Sequence, residues 1–170
     1  RQYSIQRVNG VPSKTVTPSD VDLARIRSDS ALVRQARKDR TSEMDFLAGF
    51  QKPLIGPITG VYGSQRVYNG VPKNPHYGVD YAAPTGTEVV APGAGIVRLA
   101  HPDLFYSGGT MIIDHGHGLS SSFLHLSGLL VAEGTRVRRG QPIALVGATG
   151  RATGPHLDWR MNWHQQRIDP

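Results

Sequence analysis

Cysteine is absent from the 170 residues, which excludes a thiolate nucleophile, a Cys-ligated structural zinc and a disulfide framework. Compartment stays open on that count, because an exported chain of this size can fold without disulfides. No hydrophobic run approaches the roughly 18 apolar residues of a membrane-spanning helix, and the opening stretch RQYSIQRVNG contains no apolar signal core. Aromatic residues make up only 7%, yet the 38% hydrophobic content is adequate for a core. The length suits one core with a short appendage, so one chemistry is expected. Acidic residues are outnumbered by basic ones, 13 to 19, for a formal net charge of +6. That balance favours acidic surroundings at long range, whether nucleic acid, anionic lipid or acidic wall polymer. The densest basic cluster, Arg136, Arg138 and Arg139 beside Gly140, reads as a solvated turn and not as a basic stripe, so no nucleic-acid partner is expected.

Glycine and proline, by contrast, are plentiful at 20 and 12, which points to short strands joined by tight turns. Residues 1–52 read as an N-terminal arm. It is extended to about Ser19, with Pro12 and Pro18, and then helical from Ser19 or Asp20 to about Asp39, with Leu23, Ile26, Ala31, Leu32 and Ala36 at helical spacing. A second short turn is expected between Asp39 and Phe50, ending at Gly49. From residue 53 to 170 the pattern is strand and turn. Strands are expected at Gly60–Tyr62, His76–Ala82, Glu88–Val90, Gly95–Ala100, Thr110–Asp114, Ser120–His125, Pro142–Val146 and His156–Asn162. The glycines between residues 147 and 154 lack the lysine and the following helix of a phosphate-binding loop.

Two pairs of polar residues stand out. In GPHLDWR, His156 and Asp158 are two positions apart and share one face of a strand. In HYGVD, His76 and Asp80 are four apart, which again keeps both on one side of an extended segment. Imidazole and carboxylate are a usual zinc ligand mixture, and a catalytic zinc needs three protein ligands with a position left open. His76, Asp80 and one member of the 156/158 pair can supply them, leaving the other histidine and His125 of FLHLS to handle protons. Alternation puts Phe123 on the face of His125, with Leu124 and Leu126 opposite. The plainer reading of Asp158 is a salt bridge to Arg160 on the same face. His115 and His117 flank a hairpin turn and read as structural, whereas His101 and His164 carry no usable pattern.

The stretches NPHYGVDYAAPTGTEVVAPGAGIV, MIIDHGHGLSSSFLHLSGLLVAEGTRVRRGQPIALVGATGRATGPHLDWR and NWHQQRIDP together closely resemble the lysostaphin/LytM-type zinc metallopeptidase domain, over about residue 53 to the end. The ordered occurrence of H-x-x-x-D, HLS, the VxxGQ-like turn and TGxxTGPHL carries the resemblance. It implies a mainly β fold, a compact antiparallel β assembly with a substrate groove, here preceded by the extended and helical arm. It also implies a zinc endopeptidase acting on peptidoglycan peptides, with His76 and Asp80 as two zinc ligands and His125 and His156 as the histidines beside the metal. The family's third ligand is normally the second histidine of an H-x-H pair. Here that position is Asp158, so the implied ligand set is His76, Asp80 and Asp158.

A second expectation follows from that departure: a noncatalytic envelope module that binds cell-wall peptide or activates a partner amidase, with the arginine-rich arm as the contact for an envelope protein. Tyr68, Asn69 and Tyr106 are expected groove residues. The resemblance further implies an exported protein of the bacterial periplasm or cell envelope, with a signal peptide or membrane anchor upstream of Arg1.

Overall fold

The computed structural model describes residues 4–38 and 41–170. Short alternating segments between glycine- and proline-bearing turns form strands β1 (Ile5–Val8), β2 (Ile58–Gly60), β3 (Gln65–Tyr68), β4 (Val71–Pro72), β5 (Val79–Ala82), β6 (Glu88–Val90) and β7 (Gly95–Leu104). The second half adds β8 (Gly108–Asp114), β9 (Leu119–Leu126), β10 (Gly128–Leu129), β11 (Arg136–Val137), β12 (Pro142–Leu145), β13 (His156–Trp163) and β14 (Gln166–Ile168). The main sheet runs β11-β7-β8-β9-β13-β5-β2, with β14 pairing the far half of β13. A smaller sheet runs β10-β12-β6, and a third, β1-β3-β4, ties the arm to the body through parallel pairing of β1 with β3. The fold is mainly β and antiparallel, as expected.

The period of two along each strand divides the main sheet into an apolar and a polar face. On β13, Leu157, Trp159 and Met161 point into the core, where they join Phe123, Met111 and Ile113 from neighbouring strands and Val89, Ile143 and Ala144 from the smaller sheet. Each large side chain buried this way stabilises the fold by about 1.5–3 kcal/mol. The intervening residues His156, Asp158 and Arg160 face the groove instead.

The helix α1 (Asp20–Ala36) covers part of that polar face. Ser19 caps it: its hydroxyl accepts from the Asp22 amide, and the Asp22 carboxylate accepts from the Ser19 amide. Val33 and Ala36 pack on Leu99, Leu104 and Ile112, Arg25 reaches Asp103 at 2.7 Å, and Asp29 accepts from the Phe105 amide at 2.7 Å. The buried stripe therefore differs from the expected one. Ala31 and Leu32 are exposed, and Val33 takes the inward position because the contact with β7 selects that side of the helix. The helix ends at Ala36; Asp39, to which it was expected to run, lies with Arg40 outside the described residues. The second short turn spans Asp45–Ala48 and closes at Gly49, whose φ of 74° is the left-handed conformation that favours glycine.

Several strand boundaries move. The first expected strand, Gly60–Tyr62, lies earlier, at Ile58–Gly60, where it pairs with β5. His76 precedes β5 in a loop, its amide donating to the Ser64 carbonyl. β7 continues through Pro102 to Leu104, with a register shift beyond His101 that accommodates the missing donor.

Candidate metal centre and its groove

β13 lies between β9 and β5, and its register places Asp158 directly opposite Asp80 on one side and Leu124 on the other. Two carboxylates facing each other across a pair of strands repel, so such a pair needs cationic partners. Two are guanidinium groups. Arg66 Nη2 donates to Asp80 Oδ2 at 2.6 Å, and Arg160, two positions along β13, donates to both Asp158 oxygens, Nε at 2.9 and 3.1 Å and Nη2 at 2.5 Å. The Asp158–Arg160 salt bridge raised from strand spacing is thus present.

A third partner is implied on the other side. His76 Nε2 approaches Asp80 Oδ1 to 3.0 Å, but not along a hydrogen-bond direction, and neither buried atom has another partner. Buried polar atoms of this kind are costly unless satisfied. One ligand atom from each of His76, Asp80 and Asp158 lies within 4.8 Å of the others, and all three residues are buried. Two buried atoms without a partner, His76 Nε2 and Asp80 Oδ1, beside the Asp158 carboxylate that Arg160 holds, make a nitrogen and oxygen donor set that fits a divalent metal ion. The site is built close: a Cβ on Gly60 would fall 2.2 Å from Asp80 Oδ2, and one on Gly78 would fall 2.6 Å from Asp158 Oδ1.

Electrostatics keep both carboxylates charged. Burial pushes the Asp158 carboxyl up, yet the charge and hydrogen bonds of Arg160 hold it far below the usual carboxylate range. Burial also raises Asp80; His76 and Arg66 outweigh that effect and the repulsion from Asp158, leaving Asp80 below its ordinary value.

His125 and His156 meet beside the carboxylates, with ring centroids 4.7 Å apart. His125 has φ of 65°, uncommon for a residue with a side chain. The register between β8 and β9 shifts nearby, beyond Met111 and Phe123. This overturns the expected alternation. Phe123 is in the core, while Leu124 and His125 both line the groove, because the irregularity rotates the end of β9. Nδ1 of His125 lies 2.8 Å from the Thr149 carbonyl, and Nδ1 of His156 lies 2.9 Å from the Gly154 carbonyl. A carbonyl can only accept, so each Nδ1 carries the proton and each Nε2 is the free ring nitrogen. Burial, followed by the neighbouring His156, pushes His125 down to about 4.

The groove has a volume of about 660 Å³. Tyr68 and Tyr106 line it and enclose Arg151 between their rings, at 4.5 and 4.6 Å from the two centroids. Asn69, expected with them, instead binds the arm, accepting from the Gly10 amide and donating to the Val11 carbonyl. His115 is fully buried between the Ala94 carbonyl and the Ser121 hydroxyl, a structural role. Sequence reading missed Arg66 and the arginines Arg37 and Arg167, since no local spacing links them to the carboxylates.

The model of peptidase family M23 matches residues 74–170. The peptidoglycan DD-endopeptidase ShyA of Vibrio cholerae is 46% identical over 89 residues, which cover 51% of this chain and 20% of that protein. A peptidase M23 structure from Pseudomonas aeruginosa superposes with a TM-score of 0.78 at 38% identity, covering 89% of this chain and 61% of that one. A zinc-containing peptidase from Vibrio cholerae gives a TM-score of 0.65 at 35% identity, over 71% and 38% of the two chains. This chain thus spans about a fifth of the length of ShyA. With the family model covering more than half of its residues, the chain belongs to peptidase family M23.

Proposed function

We propose that this chain is a zinc-dependent endopeptidase that hydrolyses peptide bonds in peptidoglycan stem peptides or cross-links. The observation that carries the reading is the convergence of His76, Asp80 and Asp158 within 4.8 Å beside two imidazoles with free Nε2 atoms. Zinc held by these three residues would supply Lewis acidity toward a scissile carbonyl and make a neighbouring water more acidic. His125, kept neutral by burial, accepts a proton from the attacking water at Nε2 and returns it to the leaving amine. His156 presents a second free Nε2 to the same space, placed to accept a hydrogen bond from the attacking water and orient it. Arg66 and Arg160 hold the two carboxylates in place and offset the negative charge that a second carboxylate ligand adds.

On this reading residues 53–170 carry the chemistry, and the arm of residues 1–52 narrows the groove through α1 and β1. A peptidoglycan substrate places the protein in the bacterial periplasm or cell envelope. Two measurements test the proposal: zinc content, and new amino termini released from peptidoglycan by the zinc-loaded chain. Wild type is expected to hold one zinc per chain and to cleave. Asp80→Ala and Asp158→Ala are expected to lose metal and turnover, whereas Asp158→His, with the family's usual ligand, should retain metal. A metal-free wild type that binds peptidoglycan without cleaving it would select the noncatalytic envelope module instead.

A further inference from the structure

The groove is lined by six arginines and three aspartates, so its charge is unbalanced. All three carboxylates are engaged. Asp80 is held by Arg66 and Asp158 by Arg160, while Asp29 accepts from the Phe105 amide and lies 4.0 Å from Arg25. Arg34, Arg37, Arg151 and Arg167 therefore have no carboxylate partner among the described residues, and of these Arg34 is exposed to solvent. Arg151 is satisfied by its two tyrosine rings.

Arg37 and Arg167 have no such compensation. Arg37 leaves the C-terminal end of α1 and donates from Nη2 to Ser122 Oγ at 3.1 Å, and its buried Nε has no partner. Arg167 leaves β14 and donates from Nη1 to Asn162 Oδ1 at 2.8 Å. The register makes them neighbours: Ser122 lies opposite Arg160, and Asn162, two positions on along the same face of β13, lies opposite Arg167. Burial, then Arg167 and Arg160, push Arg37 down to about 9; burial and Arg160 push Arg167 down to about 10. Neutral hydroxyl and amide oxygens leave most of each guanidinium fork unused, and a half-buried cation with no carboxylate in contact is costly. A planar carboxylate matches such a fork.

We propose that Arg37 and Arg167, beside Arg160, form a carboxylate-binding subsite next to the metal ligands, so that the preferred substrate is a peptide carrying a free carboxylate near the cleaved bond. This rests on the endopeptidase reading for its link to cleavage, but binding tests it separately. The probes are three N-acetylated tetra-alanine peptides titrated calorimetrically into the zinc-loaded protein: one with a C-terminal carboxylate, its carboxamide, and a carboxamide with one alanine replaced by glutamate. At least one acidic peptide is expected to bind about tenfold more tightly than the neutral one, and which one does so identifies a terminal or a side-chain carboxylate. The preference should disappear in Arg37→Gln and in Arg167→Gln and return in part in Arg37→Lys, which keeps the charge but not the fork. Melting temperatures identify any variant that fails to fold, in which case Arg167→Lys takes its place. Equal affinity for all three peptides, no binding of any, or a preference that survives both glutamine variants overturns the subsite. Peptidoglycan cleavage without acid preference would remove the subsite and leave the endopeptidase reading; acid preference without cleavage would do the reverse.

Discussion

At the scale of single residues, the site depends as much on side chains that are missing as on those present. Gly78 sits where a Cβ would meet Asp158 Oδ1 at 2.6 Å and Arg160 Cγ at 2.7 Å, so the carboxylate and the guanidinium that holds it both press on an empty position. Gly78→Ala is expected to displace the Asp158–Arg160 pair, costing about 1–3 kcal/mol in stability and lowering metal affinity. Chelator competition for zinc and thermal melting would check this; unchanged zinc affinity would mean that the pair shifts without moving the ligand atom. His156 and Asp158 were legible as a pair because strand parity needs only the local sequence. The orientation of Leu124 was not legible, since the rotation at His125 arises where β9 meets β8.

Among the elements, β13 is the organising one. It contributes His156 and Asp158, and it also orients Arg160 and Asn162 on the same face while its alternate residues fill the core. The helix α1 contributes differently. Two buried or half-buried apolar side chains and a few polar contacts hold it to the sheet, so its ends matter. Ser19→Ala removes the hydroxyl half of the capping box and is expected to cost about 1 kcal/mol. Hydrogen exchange should show the loss confined to the first turns of α1, with protection of β13 unchanged. The helix itself was legible from its spacing and cap. Which stripe faces inward was not, because that choice belongs to Leu99, Leu104 and Ile112 on strands far along the chain.

For the whole molecule, stability should depend on pH through buried histidines. Burial lowers His125 to about 4 and also lowers His115, against an ordinary value of 6.5. Each is therefore neutral in the folded protein while its unfolded counterpart becomes protonated below about 6.5. The unfolded state then binds more protons, so stability is fully present above that pH and falls as pH drops from about 6.5 toward 4. The His125 shift alone corresponds to about 3 kcal/mol. Denaturant melts of the metal-free protein between pH 7 and 4 would measure it, and His115→Gln should flatten part of the slope. A stability that rose over this range on acidification would contradict the burial of both rings.

What the sequence by itself determined was local: strand periodicity, turn chemistry, the capped helix, and the pairing of His76 with Asp80 and of His156 with Asp158, to which the family resemblance added His125. These follow from spacing along the chain, where chemistry and geometry are set by near neighbours. Tertiary structure decided the rest. It set Asp80 against Asp158 across two strands, supplied Arg66 from β3 as a counter-charge, and turned Phe123 into the core. It also brought Arg37 from the arm beside Arg167 from the last strand, 130 positions later. Electrostatic balance in a groove is summed over every element that lines it, and only the folded chain determines which elements those are.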